Sequence, residues 1–83
     1  MDIDEYEFEE ELTCSKLADR LEKMADDIRR GEILELPMPS VREGIIELRI
    51  AEPIETGIEV KIRKSTIRVN VALHWDRVAT TEE

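Results

Sequence analysis

His74 and Asp76 stand two residues apart, a spacing that on a β-strand puts an imidazole and a carboxylate on the same face. Such a pair is a general base with the group that orients it, the beginning of an acyl-transfer or proton-abstraction site. The motif holds no nucleophile. Cys14, the sole cysteine, begins a helical pattern far away in the chain, and a Cys/His pair also needs a cleft that one helix layer on one sheet hardly provides. No enzymatic activity is expected and no catalytic residue is assigned. A single histidine among scattered carboxylates has no zinc-ligand spacing, and glycines at 31, 44 and 57, each isolated, form no phosphate loop. With one cysteine there is no internal disulfide and no cysteine-based metal site; a structural thiol is the preferred reading over a reactive one. Neither a metal nor a cofactor is expected.

Two charged sets remain. Glu5, Glu7, Glu9 and Glu11 alternate, which reads either as a cation-binding strip or as an acidic strand edge that discourages aggregation. The second is favoured, because hard-cation sites draw converging carboxylates and carbonyls from loops. The basic set is Arg49, Lys61, Arg63 and Arg68, with Lys64 and His74 nearby, all at outward positions of strands expected to be neighbours. That face suits an acidic protein or a second copy of the chain. It also suits single-stranded nucleic acid, but Tyr6, Phe8 and Trp75 all have inward parity, so no outward aromatic is left for bases to stack on. A merely solvated face, with Glu47 and Glu59 neutralising the basic neighbours, is the plainest reading. Trp75 shares the parity of Val71 and Leu73 and is expected to close the end of the core; the competing reading is an exposed anchor for a partner.

The elements that position these residues follow from periodicity. From Thr66 to Asp76 the sequence TIRVNVALHWD alternates strictly, Ile67, Val69, Val71, Leu73 and Trp75 against Arg68, Asn70, Ala72, His74 and Asp76, the pattern of a half-buried strand. Its expected cover is an amphipathic helix over residues 15–30, whose Leu17, Ala18, Leu21, Met24, Ala25 and Ile28 form one stripe. Thr13 and Ser15 are candidate N-caps and Gly31 is placed for the left-handed C-terminal position. Asp19 with Lys23 and Asp26 with Arg30 are the expected i, i+4 pairs on a solvated outer face. Residues 5–12 read as a first strand with Tyr6, Phe8 and Leu12 inward, Glu10 breaking the pattern at a bulge or rim. Glu32 to Met38, closed by Pro37 and Pro39, reads as an edge strand. Two further runs, 44–51 and 57–63, alternate likewise, and Lys64 and Ser65 form the tip of a hairpin into the last strand.

Eighty-three residues make one domain, burying roughly 60% of the surface that the unfolded chain exposes. About two-fifths of the residues are apolar and two-fifths charged, as in a globular protein. No apolar run is long enough to cross a membrane, and Met1 to Glu5 lacks the features of a signal peptide, so a cytoplasmic protein without membrane attachment is expected. The net charge of −9 disfavours a dedicated nucleic-acid binder. Residues 1–40 carry five Lys/Arg against thirteen Asp/Glu, and residues 41–83 seven against eight.

The order of these features resembles the amphi-Trp domain family of small prokaryotic proteins. The acidic first strand, the helix SKLADRLEKMADDIRRGE with its Gly31 exit, the stretch closed by IAEP and the VALHW ending carry the resemblance, which covers about Glu5 to Trp75. Relatives usually have an acidic, ELEL-like run before the tryptophan, where this chain has Arg68, Asn70 and His74. The resemblance implies a fold and brings no catalytic residues with it. The expected architecture is α+β: an antiparallel sheet of four to five strands with one amphipathic helix packed on one face, in the order β-α-β-β-β-β. Residues 5–76 form the single domain, with loosely ordered tails at 1–4 and 77–83. The expected function is non-catalytic binding or assembly through the open charged face, with Arg49, Lys61, Arg63, Arg68, His74 and Trp75 as candidate contacts. A homo-oligomer or an acidic protein is the expected partner; the alternative is weak single-stranded nucleic-acid binding.

Overall fold

Thr13 starts the helix. In the computed structural model, which describes residues 4–77, Thr13 is extended and its hydroxyl oxygen accepts from the Lys16 N–H at 3.2 Å, satisfying one of the donors a helix start leaves free. Helix α1 then runs over Cys14–Arg30 and stops at Gly31, whose φ of 72° lies in the left-handed region and whose N–H donates to the Asp27 carbonyl at 3.2 Å. Nothing lies within 4 Å of where a Gly31 side chain would sit, so a substitution there tests conformation alone. Gly31→Ala is expected to cost about 1 kcal/mol, read as a lower midpoint in urea unfolding with an unchanged slope.

Past the helix come four strands: β1 Ile33–Pro37, β2 Ile45–Arg49, β3 Glu55–Ile62 and β4 Ile67–His74. The class is α+β with antiparallel strands, as expected. Two features differ. Residues 4–13 have no regular secondary structure, so the first strand expected over 5–12 is not there. Five glutamates among those eight residues have poor strand propensity, and alternation alone supplies no ladder partner. Glu10, which interrupted the pattern, pairs with the Arg20 guanidinium on α1. The strands also form two separate two-stranded sheets, β1–β2 and β3–β4, in place of one. The backbone divides into two compact units, one up to Ile50 and one from Ala51. The tails expected at 1–4 and 77–83 lie mostly outside the described residues. Among the described residues no helix is long and apolar enough to cross a membrane.

In the first unit α1 packs against β1. Leu34 pairs with Leu48 and Leu36 with Ile46 across the sheet, and the ladder is continued at its two ends by Ile50 N–H to Glu32 O at 2.9 Å and Met38 N–H to Gly44 O at 2.8 Å. Leu34, Met38 and Ile50 are the buried apolar residues among those described. The helix buries one residue, and it is an aspartate: Asp27, 3% exposed, while Leu17, Leu21 and Ile28 of the expected inward stripe are exposed.

Burying a carboxylate is tolerated when every oxygen finds a donor. Lys23 Nζ lies 2.8 Å from each Asp27 oxygen, and the Glu35 N–H donates to Oδ2 at 3.0 Å. The ladder bonds at Glu32 and Met38 turn the even-numbered N–H groups of β1 toward β2, so the Glu35 N–H faces the outer edge. Asp27 therefore fixes the last turns of α1 to that edge. The Lys23 hydrogen bond, then the one from Glu35 N–H, hold the Asp27 carboxyl below the usual carboxylate range against the opposing effect of burial. Lys23 is held above the usual lysine range by Asp27 first and Glu35 second. The surface pairs are not those the spacing suggested: Arg29 bonds Asp26 at 3.2 Å, and Arg30 approaches Asp27 at 3.8 Å.

Candidate functional site

The β3–β4 hairpin sorts the candidate residues by parity. In its register Thr56 faces Leu73, Ile58 faces Val71, Val60 faces Val69 and Ile62 faces Ile67, which makes one face wholly apolar but for Thr56. The opposite face pairs Glu55 with His74, Gly57 with Ala72, Glu59 with Asn70 and Lys61 with Arg68. The turn is closed by the Arg63 N–H donating to the Thr66 carbonyl at 2.9 Å, with Lys64 and Ser65 at the tip as expected.

The polar face is graded along its length. At the open end His74 Nδ1 lies 3.0 Å from Glu55 Oε1, and next to it Asn70 Nδ2 donates to Glu59 Oε1 at 3.0 Å. At the turn end Lys61, Arg63, Thr66 and Arg68 line a shallow depression. Lys61 and Arg68 are directly opposite, a like-charge cross-strand pair that disfavours the hairpin. None of Lys61, Arg63 and Arg68 meets a carboxylate among the described residues. Such an arrangement attracts an anion, and the Thr66 hydroxyl adds a neutral donor beside the three cations.

Lys61, Arg63, Arg68 and His74 thus share one face, as the alternation predicted. Arg49 belongs to the other compact unit. It is exposed on β2, opposite Ile33, in the other sheet, because β2 pairs with β1 and not with the hairpin. Trp75 follows β4 and is half-buried. The carboxylate beside His74 is Glu55, brought by cross-strand register, and not Asp76 from the same strand. Both His74 and Glu55 are exposed. Thr66 and Glu55 escaped the sequence reading because each takes its place from the other strand; counting back from a turn centred on Lys64 and Ser65 would have found both. Among the described residues no three His, Cys, Asp or Glu side chains converge as a metal site.

No protein family model, no curated protein and no solved structure matches this chain.

Proposed function

We propose that this chain is a non-catalytic binding module of the amphi-Trp kind, with residues 5–76 as its domain, that docks an acidic segment of a partner protein on the polar face of the hairpin. The observation carrying this is the unneutralised trio Lys61, Arg63 and Arg68 around Thr66. Carboxylates of a partner supply the counter-charge that the hairpin lacks, and relieve the repulsion between Lys61 and Arg68. Nucleic acid would also bring anions, but the net charge of −9 repels a long polyanion, and the hairpin's polar face offers no Phe, Tyr or Trp for stacking, only the His74 ring engaged with Glu55.

The test is fluorescence polarisation with a labelled Asp/Glu-rich peptide and, in parallel, a labelled oligothymidylate. The peptide is expected to bind with an affinity that falls as salt is raised. Arg63→Glu with Arg68→Glu weakens it by about tenfold or more, two charge-assisted contacts being replaced by repulsion. Peptide binding untouched by the double reversal overturns the reading. Oligothymidylate binding that the reversal abolishes, with no peptide binding, replaces it with the nucleic-acid alternative.

A further inference from the structure

Strand β3 has a strand partner on one side only. Among the described residues the hairpin is a two-stranded sheet, so the outer edge of β3 pairs with no other strand of the chain. The Arg63 N–H bond to the Thr66 carbonyl makes those two residues a hydrogen-bonded pair. Alternation from there turns the odd-numbered N–H and C=O groups of β3 toward β4, and leaves those of Thr56, Ile58, Val60 and Ile62 facing outward. The register runs from Glu55 opposite His74 to Ile62 opposite Ile67 without a bulge, and β3 contains no proline, so neither device opposes the addition of a further strand. We propose that this edge is a dimerisation surface: two copies of the chain join β3 to β3, antiparallel, about a two-fold axis at Val60, to give a four-stranded sheet.

Charge selects the occupant. The first half of β3 carries Glu55 and Glu59, and Lys61 with Arg63 follow, so an antiparallel copy of the same strand sets acidic residues against basic ones. With the axis at Val60, Val60 faces Val60, and Ile58 faces Ile62 of the other copy at two symmetric places. These β-branched pairs are the hydrogen-bonded ones, each exchanging two backbone bonds. Between them Glu59 faces Lys61 of the other copy, again twice, at the closer non-hydrogen-bonded spacing. Glu59 has an oxygen to give: Oε1 accepts from Asn70, which leaves Oε2 for the ammonium. Neighbouring registers lose this match. An axis at Glu59 or at Lys61 sets that residue against itself, and one at Ile58 sets Thr56 against Val60 and carries Lys61 to Glu55, which already bonds His74. The β4 edge offers nothing comparable, since Arg68, Asn70 and His74 include no carboxylate and two such edges have no opposite charges to join. Pairing β3 with β4 of another copy is heterologous and adds chains without closing, whereas β3 on β3 closes at two. The gain is on the hairpin itself, because two strands are marginally stable alone and four are not. Glu59 of the other copy then answers Lys61, and leaves Arg63 and Arg68 to an acidic segment.

Sedimentation equilibrium of the full chain is the test. A mass of two chains at micromolar concentration is expected; a mass of one, or a series of masses above two, overturns the proposal. Glu59→Lys and Lys61→Glu each turn both charge pairs into like-charge pairs, and each is expected to raise the dimer dissociation constant by about tenfold or more. Lys61→Glu also removes the like-charge pair with Arg68 inside the hairpin, so its lower mass is not a failure to fold. Mixing the two variants is expected to restore both pairs in a dimer with one chain of each, and the chain carrying both substitutions restores them with itself. A mass unmoved by the single variants, or not recovered by the mixture and the double variant, overturns the proposal. Peptide docking is read separately, by polarisation. A mass of one chain leaves the trio in place to bind the peptide, and absence of peptide binding leaves a mass of two chains intact, so the two proposals fail independently.

Discussion

Leu34→Ala is expected to lower the midpoint of thermal unfolding by at least about 10 °C. Leu34 is 2% exposed and shares the core of its unit with just two other buried apolar residues among those described, Met38 and Ile50. Removing a buried leucine side chain down to its β-carbon costs about 2–5 kcal/mol, the range reflecting how far the surroundings collapse into the space. Small domains have total stabilities of about 5 kcal/mol at the low end, and each kcal/mol moves the midpoint by about 4–8 °C at this size. Collapse offers little relief here, since β1 is held on one side by β2 and on the other by the Asp27 bond to Glu35. Leu48→Ala is the control. Leu48 is the cross-strand partner of Leu34 yet 36% exposed, so the same chemical change has less to lose. Circular dichroism melts of the three proteins decide the matter. Equal shifts for the two variants would mean that Leu34 is not the centre of this core.

Acid is expected to weaken the protein through Asp27 in particular. Its folded-state carboxyl is held below the ordinary value by Lys23 first and the Glu35 N–H second. A group depressed on folding stabilises fully above its unfolded pKa, about 4 for aspartate, and loses that contribution as pH falls through the lower folded value. Lys23 is shifted upward, so its share is intact below the ordinary lysine pKa and is lost only in strong alkali; it leaves the acid limb to Asp27. Asp27→Asn keeps the shape and an oxygen for the Glu35 N–H while removing the charge that faces Lys23. The substituted protein is expected to be less stable at neutral pH and to show a flatter dependence below pH 4, converging on the parent in acid. Urea midpoints of both proteins across the acid range measure this. Curves that stay parallel would exclude Asp27 as the titrating group.

Much of the local structure was legible. Thr13, the stripe through residues 17–28 and Gly31 bracketed a helix that runs from Cys14 to Arg30. Alternation located β3 and β4, and Lys64 with Ser65 located their turn. Alternation and helical periodicity report which side chains share a face. They do not report what that face meets. The stripe of α1 read as core because Leu17 and Leu21 require cover, yet the buried helix position is Asp27. One signal for it was present: a carboxylate in the last turn opposes the helix dipole, so its position there called for a specific partner. Lys23, four residues earlier, is one partner; the other is a backbone N–H on β1, which has no signature in side-chain types. The same limit separated Arg49 from Lys61, Arg63 and Arg68. All alternate correctly, and strand pairing, which parity leaves undetermined, placed Arg49 in the other sheet.

The Asp27 bond also bears on what β1 can do to a neighbouring molecule. Along its outer edge the odd-numbered residues present their backbone donors, namely Ile33 and Glu35, since Pro37 has none. The carboxylate occupies the donor of Glu35, leaving Ile33 alone on that edge. A strand edge with one donor is a poor template for cross-β growth. Protonating Asp27 weakens that occupation, so the solution conditions that loosen the fold also unmask the edge, and fibril nucleation in acid is where the chain is most exposed to it.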